Sequence, residues 1–295
     1  MPHEASCWNF ASNSYQGRRI MASFNSISPE KLARLVGTPK APVLIDVRDE
    51  DDFTADPHLV PSSFHRTHAD APKWADEYKG QWVVALCKHG GKLSEGVAAW
   101  LRHAGASAEI LEGGLEAWRE AGLPLVPVAS LPNADPSGGS VWVTRSRPKI
   151  DRIACPWLIR RFVDPRARFL YVSPAEVEAV GERFDATPFD IEGVFWSHRG
   201  DDCTFDTMVK EFRLSFPALE HVARIVRGAD TDRHELEPQA AGLLAVSLGL
   251  SRMYADDLEQ LEAGMTLYDA LYRWARDARE EKHDWLSHGG KGKRT

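Results

Sequence analysis

At 295 residues, 43% apolar and 27% charged, the chain has material for two domains with proper cores and none of the bias of a fibrous or disordered protein. Its net charge of −7 argues against broad, non-specific nucleic-acid binding and leaves room only for a local basic patch. No apolar run reaches the roughly 18 residues that a membrane span needs.

Residues 1–22 lack the apolar stretch of a secretory signal and are expected to form an unstructured extension, with Met21 an alternative start. None of Cys7, Cys87, Cys155 and Cys203 forms a Cys-x-x-Cys pair, so neither a disulfide framework nor a zinc ribbon is expected. That usage suits a reducing compartment, and a cytoplasmic location is the expectation.

Ser28-Pro29-Glu30 opens a helix through Val36, with proline at the favoured first position. Val43-Leu44-Ile45 reads as a strand ending in Asp46, and Trp82 to Leu86 as a second ending at Cys87. Leu93, Val97, Trp100 and Leu101 recur at helical spacing. Ala108 to Leu111 is another strand, and Leu115 to Ala121 a helix closed by Gly122 and Pro124. This strand-then-helix order predicts an α/β fold, a mainly parallel sheet flanked by helices.

Proline, serine and glycine without periodicity place a linker at 128–140. Beyond it the pattern predicts a mostly helical α+β second domain over 141–281, with helices near 150–162, 204–214, 217–227, 237–249 and 254–280. Strand-like pieces stand at Val141–Val143, Arg168–Tyr171 and Val194–Trp196, and residues 282–295 are expected to be a flexible tail.

Cys87 lies between a strand and a helix and is followed by Lys88-His89-Gly90-Gly91-Lys92. A helix N-terminus beside cationic side chains favours a thiolate. Consecutive backbone N–H groups in a glycine-containing loop form a nest for an anion. Lys88, His89, Gly90, Gly91 and Lys92 are therefore the candidate substrate-binding residues around a nucleophilic Cys87. The alternative is a buried cysteine at a strand end.

Three stretches in order resemble the rhodanese family. Leu44-Ile45-Asp46-Val47-Arg48 with Phe53 resembles its Asp-x-Arg strand end, and Cys87-x-x-Gly90-x-Lys92 its active-site loop. Glu112-Gly113-Gly114-Leu115-x-Ala117-Trp118, followed by Ala121-Gly122-Leu123-Pro124, resembles its closing helix. The resemblance implies a rhodanese domain over 23–127 that moves a sulfane sulfur, needing no cofactor, from a small anionic donor such as thiosulfate to a thiol or cyanide acceptor through a Cys87 persulfide. The six residues from Cys87 to Lys92 match the sulfurtransferase loop length rather than that of related phosphatases. Lys92 replaces the usual arginine, keeping the charge and losing the bidentate fork. Arg48 either faces the substrate or pairs with acidic neighbours.

In the second domain, Asp151-Arg152-Ile153-Ala154-Cys155-Pro156-Trp157-Leu158-Ile159-Arg160-Arg161-Phe162 and His198-Arg199-Gly200-x-x-Cys203-Thr204-Phe205 resemble the C-terminal domain of the chromate-resistance protein B family. Asp151 is read as the N-cap of its helix. His198, Cys203, Asp206 and Asp230 offer mixed donors suited to zinc or iron. In the plainer reading Cys203 is core, Asp206 caps the following helix and His198 bonds a carbonyl. The basic segment 145–168 is a candidate for an oxyanion such as chromate or sulfate, for DNA phosphate (though no aromatic interleaving or helix-turn-helix supports DNA), or else a solvated face. Two functions therefore stand: a sulfurtransferase serving chromate or oxyanion stress, and a chromate- or redox-responsive regulator with a metal- or oxyanion-binding C-terminal domain.

Overall fold

The computed structural model describes residues 25–134 and 138–281, so the expected extension 1–22 with Cys7, and the tail 282–295, lie outside the described residues. The first half runs β1 (Ser26–Ile27), α1 (Pro29–Ala33), β2 (Val43–Asp46), α2 (Glu50–Ala55), β3 (His58–Leu59), β4 (Ser63–His65), α3 (Ala71–Trp74), β5 (Trp82–Leu86), α4 (Lys92–His103), β6 (Ser107–Leu111), α5 (Gly114–Glu120) and β7 (Val126–Pro127). Its five-stranded sheet is entirely parallel in the order β1-β6-β5-β2-β4, which puts β5 at the centre.

Side-chain alternation explains why both faces are covered. Ile45, Val83, Ala85 and Ile110 pack with Trp74 of α3, Tyr78 of the turn after it, and Val97 and Leu101 of α4. Leu44, Val84, Leu86 and Leu111 point the other way, toward Leu32, Leu115 and Trp118.

The second half comprises β8 (Val141–Arg145), α6 (Asp151–Leu158), β9 (Arg168–Val172), α7 (Val177–Phe184), β10 (Thr187–Pro188), α8 (Thr204–Glu211), α9 (Pro217–Asp230), α10 (Ala240–Met253) and α11 (Asp257–Asp277). Its small sheet is parallel, in the order β10-β8-β9. The strand expected at Val194–Trp196 is absent; Trp196 makes only an isolated bridge to Phe189. The apolar run there instead packs its indole against Trp142 and Phe212. Helix α7 had no counterpart in the sequence reading.

Pro156 lies inside α6, which passes into a π-helical turn at Ile159–Val163. Proline has no N–H for the carbonyl four residues back. The Arg152 carbonyl accepts instead from the Tyr171 hydroxyl at 2.9 Å.

The two halves share one hydrophobic cluster on the α1 and α5 face. Phe162 is the joint. Its carbonyl accepts from Ser62 N at 2.7 Å, and its ring packs against Tyr272 and Phe216. The ring also covers Gly37 so closely that a Cβ there would lie 2.2 Å from its Cζ. Ser130 Oγ, in the segment expected to be a linker, donates to the Glu211 carbonyl at 2.9 Å. No helix among the described residues is long and apolar enough to cross a membrane.

Truncating a fully buried phenylalanine costs about 3–5 kcal/mol. Phe162→Ala is expected to lower the unfolding free energy by that amount while the chain still unfolds in one urea transition; two separate transitions in the wild type would show that the cores are independent.

Candidate functional site

Cys87 follows β5, the central strand, at the C-terminal edge where parallel sheets place their ligands. Gly90 (φ +65°) and Gly114 (φ +64°) meet backbone to backbone beneath the loop. A Cβ on Gly90 would lie 2.6 Å from the Leu111 carbonyl oxygen, and one on Gly114 would lie 2.2 Å from the Cys87 carbonyl oxygen. No other residue fits at either position. The Cys87 and Lys88 carbonyls accept from Leu115 N (2.9 Å) and Glu116 N (3.1 Å), at the start of α5.

Gly91 N donates to Cys87 Sγ at 3.3 Å. The amides of Lys88, His89 and Gly90 have no acceptor among the described residues. Ser94 Oγ lies 3.2 Å from Sγ and also reaches the Gly91 carbonyl at 3.1 Å. Its single proton can serve the carbonyl while the sulfur is a thiol and turn to the sulfur when it is anionic.

Around the rim, Lys88 is held by Asp52 at 2.7 Å, which pushes its ammonium pKa up. His89 Nδ1 faces Glu116 at 3.0 Å. Lys92 is exposed and has no ion pair among the described residues, so its charge is available to an anion.

A second cluster lies in the C-terminal half. His198 Nε2 faces Asp230 Oδ2 at 3.2 Å, and Asp151 Oδ2 and Asp190 Oδ1 at 3.5 Å each. Asp151 is fully buried, and its Oδ2 accepts from Thr204 N at 2.6 Å and Phe205 N at 3.4 Å. Burial first, then the charges of Asp230 and Asp190, push the Asp151 carboxyl well above the usual carboxylate range. The Asp190 and Asp230 carboxylates facing its Nε2 push His198 up to about 10. Burial works to raise Asp190, but His198, Thr204, Arg152 and Arg145 outweigh it and hold the group low.

Residues 28–121 match the rhodanese-like domain family, and residues 142–275 match the ChrB C-terminal domain family. Over 104 residues the chain is 32% identical to thiosulfate sulfurtransferase GlpE of Actinobacillus succinogenes, covering 35% of this chain and 91% of that one. The chain belongs to the rhodanese-like family and carries a ChrB C-terminal domain. It is 34% identical to protein ChrB of Cupriavidus metallidurans over 155 residues, 51% of this chain and 46% of that one, so it spans about half of that relative's length. Among solved structures, a rhodanese-related protein of Thermoplasma volcanium is 24% identical, with a TM-score of 0.31, covering 35% of this chain and 98% of that one.

Two expectations for side chains are corrected. Arg48, read either as facing the substrate or as pairing with acidic neighbours, is 1% exposed and takes the second role. Its guanidinium bonds Asp46 Oδ2 (2.6 and 2.9 Å) and the carbonyls of Asp56 (2.8 Å) and His58 (2.9 Å), so it ties β2 to β3. Of the expected metal donors, the ChrB domain brings only His198 and Asp230 together. Cys203 and Asp206 form a capping box at the start of α8, with Cys203 N donating to Asp206 Oδ2 at 3.1 Å. Asp151 and Asp190 stand in their place; Asp151 follows the cap of α6, which is Ile150, and its side chain receives the amides of α8 instead. Asp151, His198 and Asp230 can each bring a ligand atom within 4.8 Å of the others.

Most arginines of the basic segment are engaged inside the ChrB domain. Arg145 and Arg152 face Asp190, Arg160 faces Glu262 and Arg161 grips Asp269. Arg147 covers the Ser251 and Tyr254 carbonyls at the end of α10.

Removing one partner of a buried ion pair strands the other, at a cost of about 3–5 kcal/mol. Arg48→Met is expected to destabilise the fold by that amount in chemical denaturation, whereas Lys92→Ala should change stability by less than about 0.5 kcal/mol. Near-neutral stability of Arg48→Met would return Arg48 to the substrate.

Proposed function

We propose that the protein is a sulfurtransferase whose Cys87 carries the sulfur as a persulfide. The observation that carries this reading is the sulfur's setting: Gly91 N–H and Ser94 Oγ on Sγ, beside loop amides with no acceptor among the described residues. The Cys87 thiolate attacks the outer sulfur of an anionic donor such as thiosulfate. The donor's S–S bond breaks and sulfite leaves with its electron pair. A thiol or cyanide acceptor then attacks the outer sulfur of the persulfide, the Cys87–S bond breaks, and the thiolate returns. The Lys88–Gly91 amides and the Lys92 charge bind the donor's oxygens, and His89 stands at the rim. No cofactor enters these steps.

The kinship with proteins named thiosulfate sulfurtransferase supports this activity, and kinship with a ChrB protein supports a setting of chromate or other oxyanion stress. The unpaired cysteines Cys87, Cys155 and Cys203 suit a reducing cytoplasm. In a second reading, a chromate- or redox-responsive regulator, the half-exposed His198 cluster is the sensing element; Cys155 and Cys203 have no surface through which to meet an oxidant.

Intact mass after incubation with thiosulfate tests the reading. The wild type should gain one sulfur atom and lose it to cyanide, and Cys87→Ser should gain none; an unmodified wild type would leave the regulator reading in its place. A hydrogen bond to a charged group contributes about 1.5–3 kcal/mol, so Ser94→Ala is expected to slow thiosulfate-to-cyanide transfer roughly ten- to hundredfold in steady-state kinetics.

A further inference from the structure

Three carboxylate oxygens converge on one imidazole nitrogen, at 3.2, 3.5 and 3.5 Å from His198 Nε2. That nitrogen carries at most one hydrogen, which can serve one acceptor. A charge-assisted N–H···O bond is shorter, about 2.7–2.9 Å. The observed spacing is instead that of neighbouring ligands around one ion: with metal–nitrogen and metal–oxygen bonds of about 2.0–2.2 Å, adjacent donor atoms stand about 3.0–3.5 Å apart.

A second observation is independent of these distances. Asp151 Oδ1 is buried and has no hydrogen-bond partner, although its carboxylate is fully enclosed. An orphaned oxygen in that setting costs free energy unless something cationic answers it. Its sister atom Oδ2, the oxygen 3.5 Å from His198 Nε2, already accepts from the Thr204 and Phe205 amides, which fixes the carboxylate and leaves Oδ1 as the oxygen without an answer. Asp230 is the last residue of α9, where the helix dipole adds negative potential. Asp190 differs: Arg145 at 3.2 Å, Arg152 at 3.3 Å and Thr204 Oγ1 at 2.9 Å already answer it.

We propose that Asp151, His198 and Asp230 bind one divalent first-row transition cation in the C-terminal domain, with Asp190 outside the ligand set. One imidazole and two carboxylates suit a borderline ion such as Zn²⁺, Fe²⁺ or Mn²⁺ better than Mg²⁺ or Ca²⁺. His198, 41% exposed, and Asp230, 20% exposed, form the entry side. Three protein donors leave a coordination position open toward solvent. Cys203, committed to the capping box, is outside the set. Sulfur loading of Cys87 plays no part in this site, so failure of one reading leaves the other standing.

The test uses the full-length protein stripped with a chelator, then titrated separately with Zn²⁺ and Mn²⁺ and followed by calorimetry and by elemental analysis after gel filtration. The expected result is one equivalent bound, with affinity weakened at least tenfold in Asp230→Asn and in His198→Gln. Asp230 is at the rim, so its asparagine variant should keep the wild-type circular dichroism spectrum. Cobalt(II) substitution should give weak visible bands and no intense thiolate charge-transfer band. Absence of binding by folded wild type, or unchanged affinity in both variants, overturns the proposal; a thiolate band on cobalt overturns the ligand set.

Discussion

Burying the segment from Asp151 to Phe162 leaves polar groups that must be answered from elsewhere, and the arrangement of the C-terminal half follows from how they are answered. The Asp151 carboxylate receives the first amides of α8. The Arg152 carbonyl, released by Pro156, takes the Tyr171 hydroxyl of β9. Trp157 Nε1 and the Arg161 guanidinium both hold Asp269 of α11. The Phe162 carbonyl takes Ser62 N from the rhodanese half. Buried polar groups are almost always paired, so each partner restricts where its own element can lie.

The cysteine loop obeys a different constraint, one of space. Gly90 and Gly114 bring two stretches of backbone into contact with no side chain between them. The Cys87 and Lys88 carbonyls then bond the start of α5, so both are taken up within the fold. The glycine-rich turn before α5 and the cysteine loop are thus one unit, although β6 and α4 separate them in the chain. Rigid amide donors need no reorganisation when charge arrives, which is the condition for effective electrostatic stabilisation.

The rhodanese and ChrB parts also meet as one interior. The sheet face carrying Leu44, Val84 and Leu86 continues through Trp118 and Phe162 into Trp157, Phe205 and Tyr268. The ring of Phe162 over Gly37 and the Arg276 bond to the Arg34 carbonyl (3.0 Å) show this contact to be shaped on both sides.

The parallel sheet, the end of β5 at Cys87 and the helical course of 204–277 were legible in the sequence. They rest on apolar periodicity and on local signals such as Ser28-Pro29 and Gly90-Gly91 that act within a few residues. The role of Arg48 was left between two readings because its partners at Asp56 and His58 come near only when β3 folds beside β2. The carboxylate cluster was half visible: His198 and Asp230 stood out by type, but Asp151 looked like a local cap and Asp190 gave no signal. Cys203 and Asp206 were equally plausible as ligands until their bonds to each other closed the start of α8. Local periodicity decides which elements form and which face is buried, whereas the partners of a polar side chain far along the chain depend on how those elements pack, and that is written only in the tertiary structure.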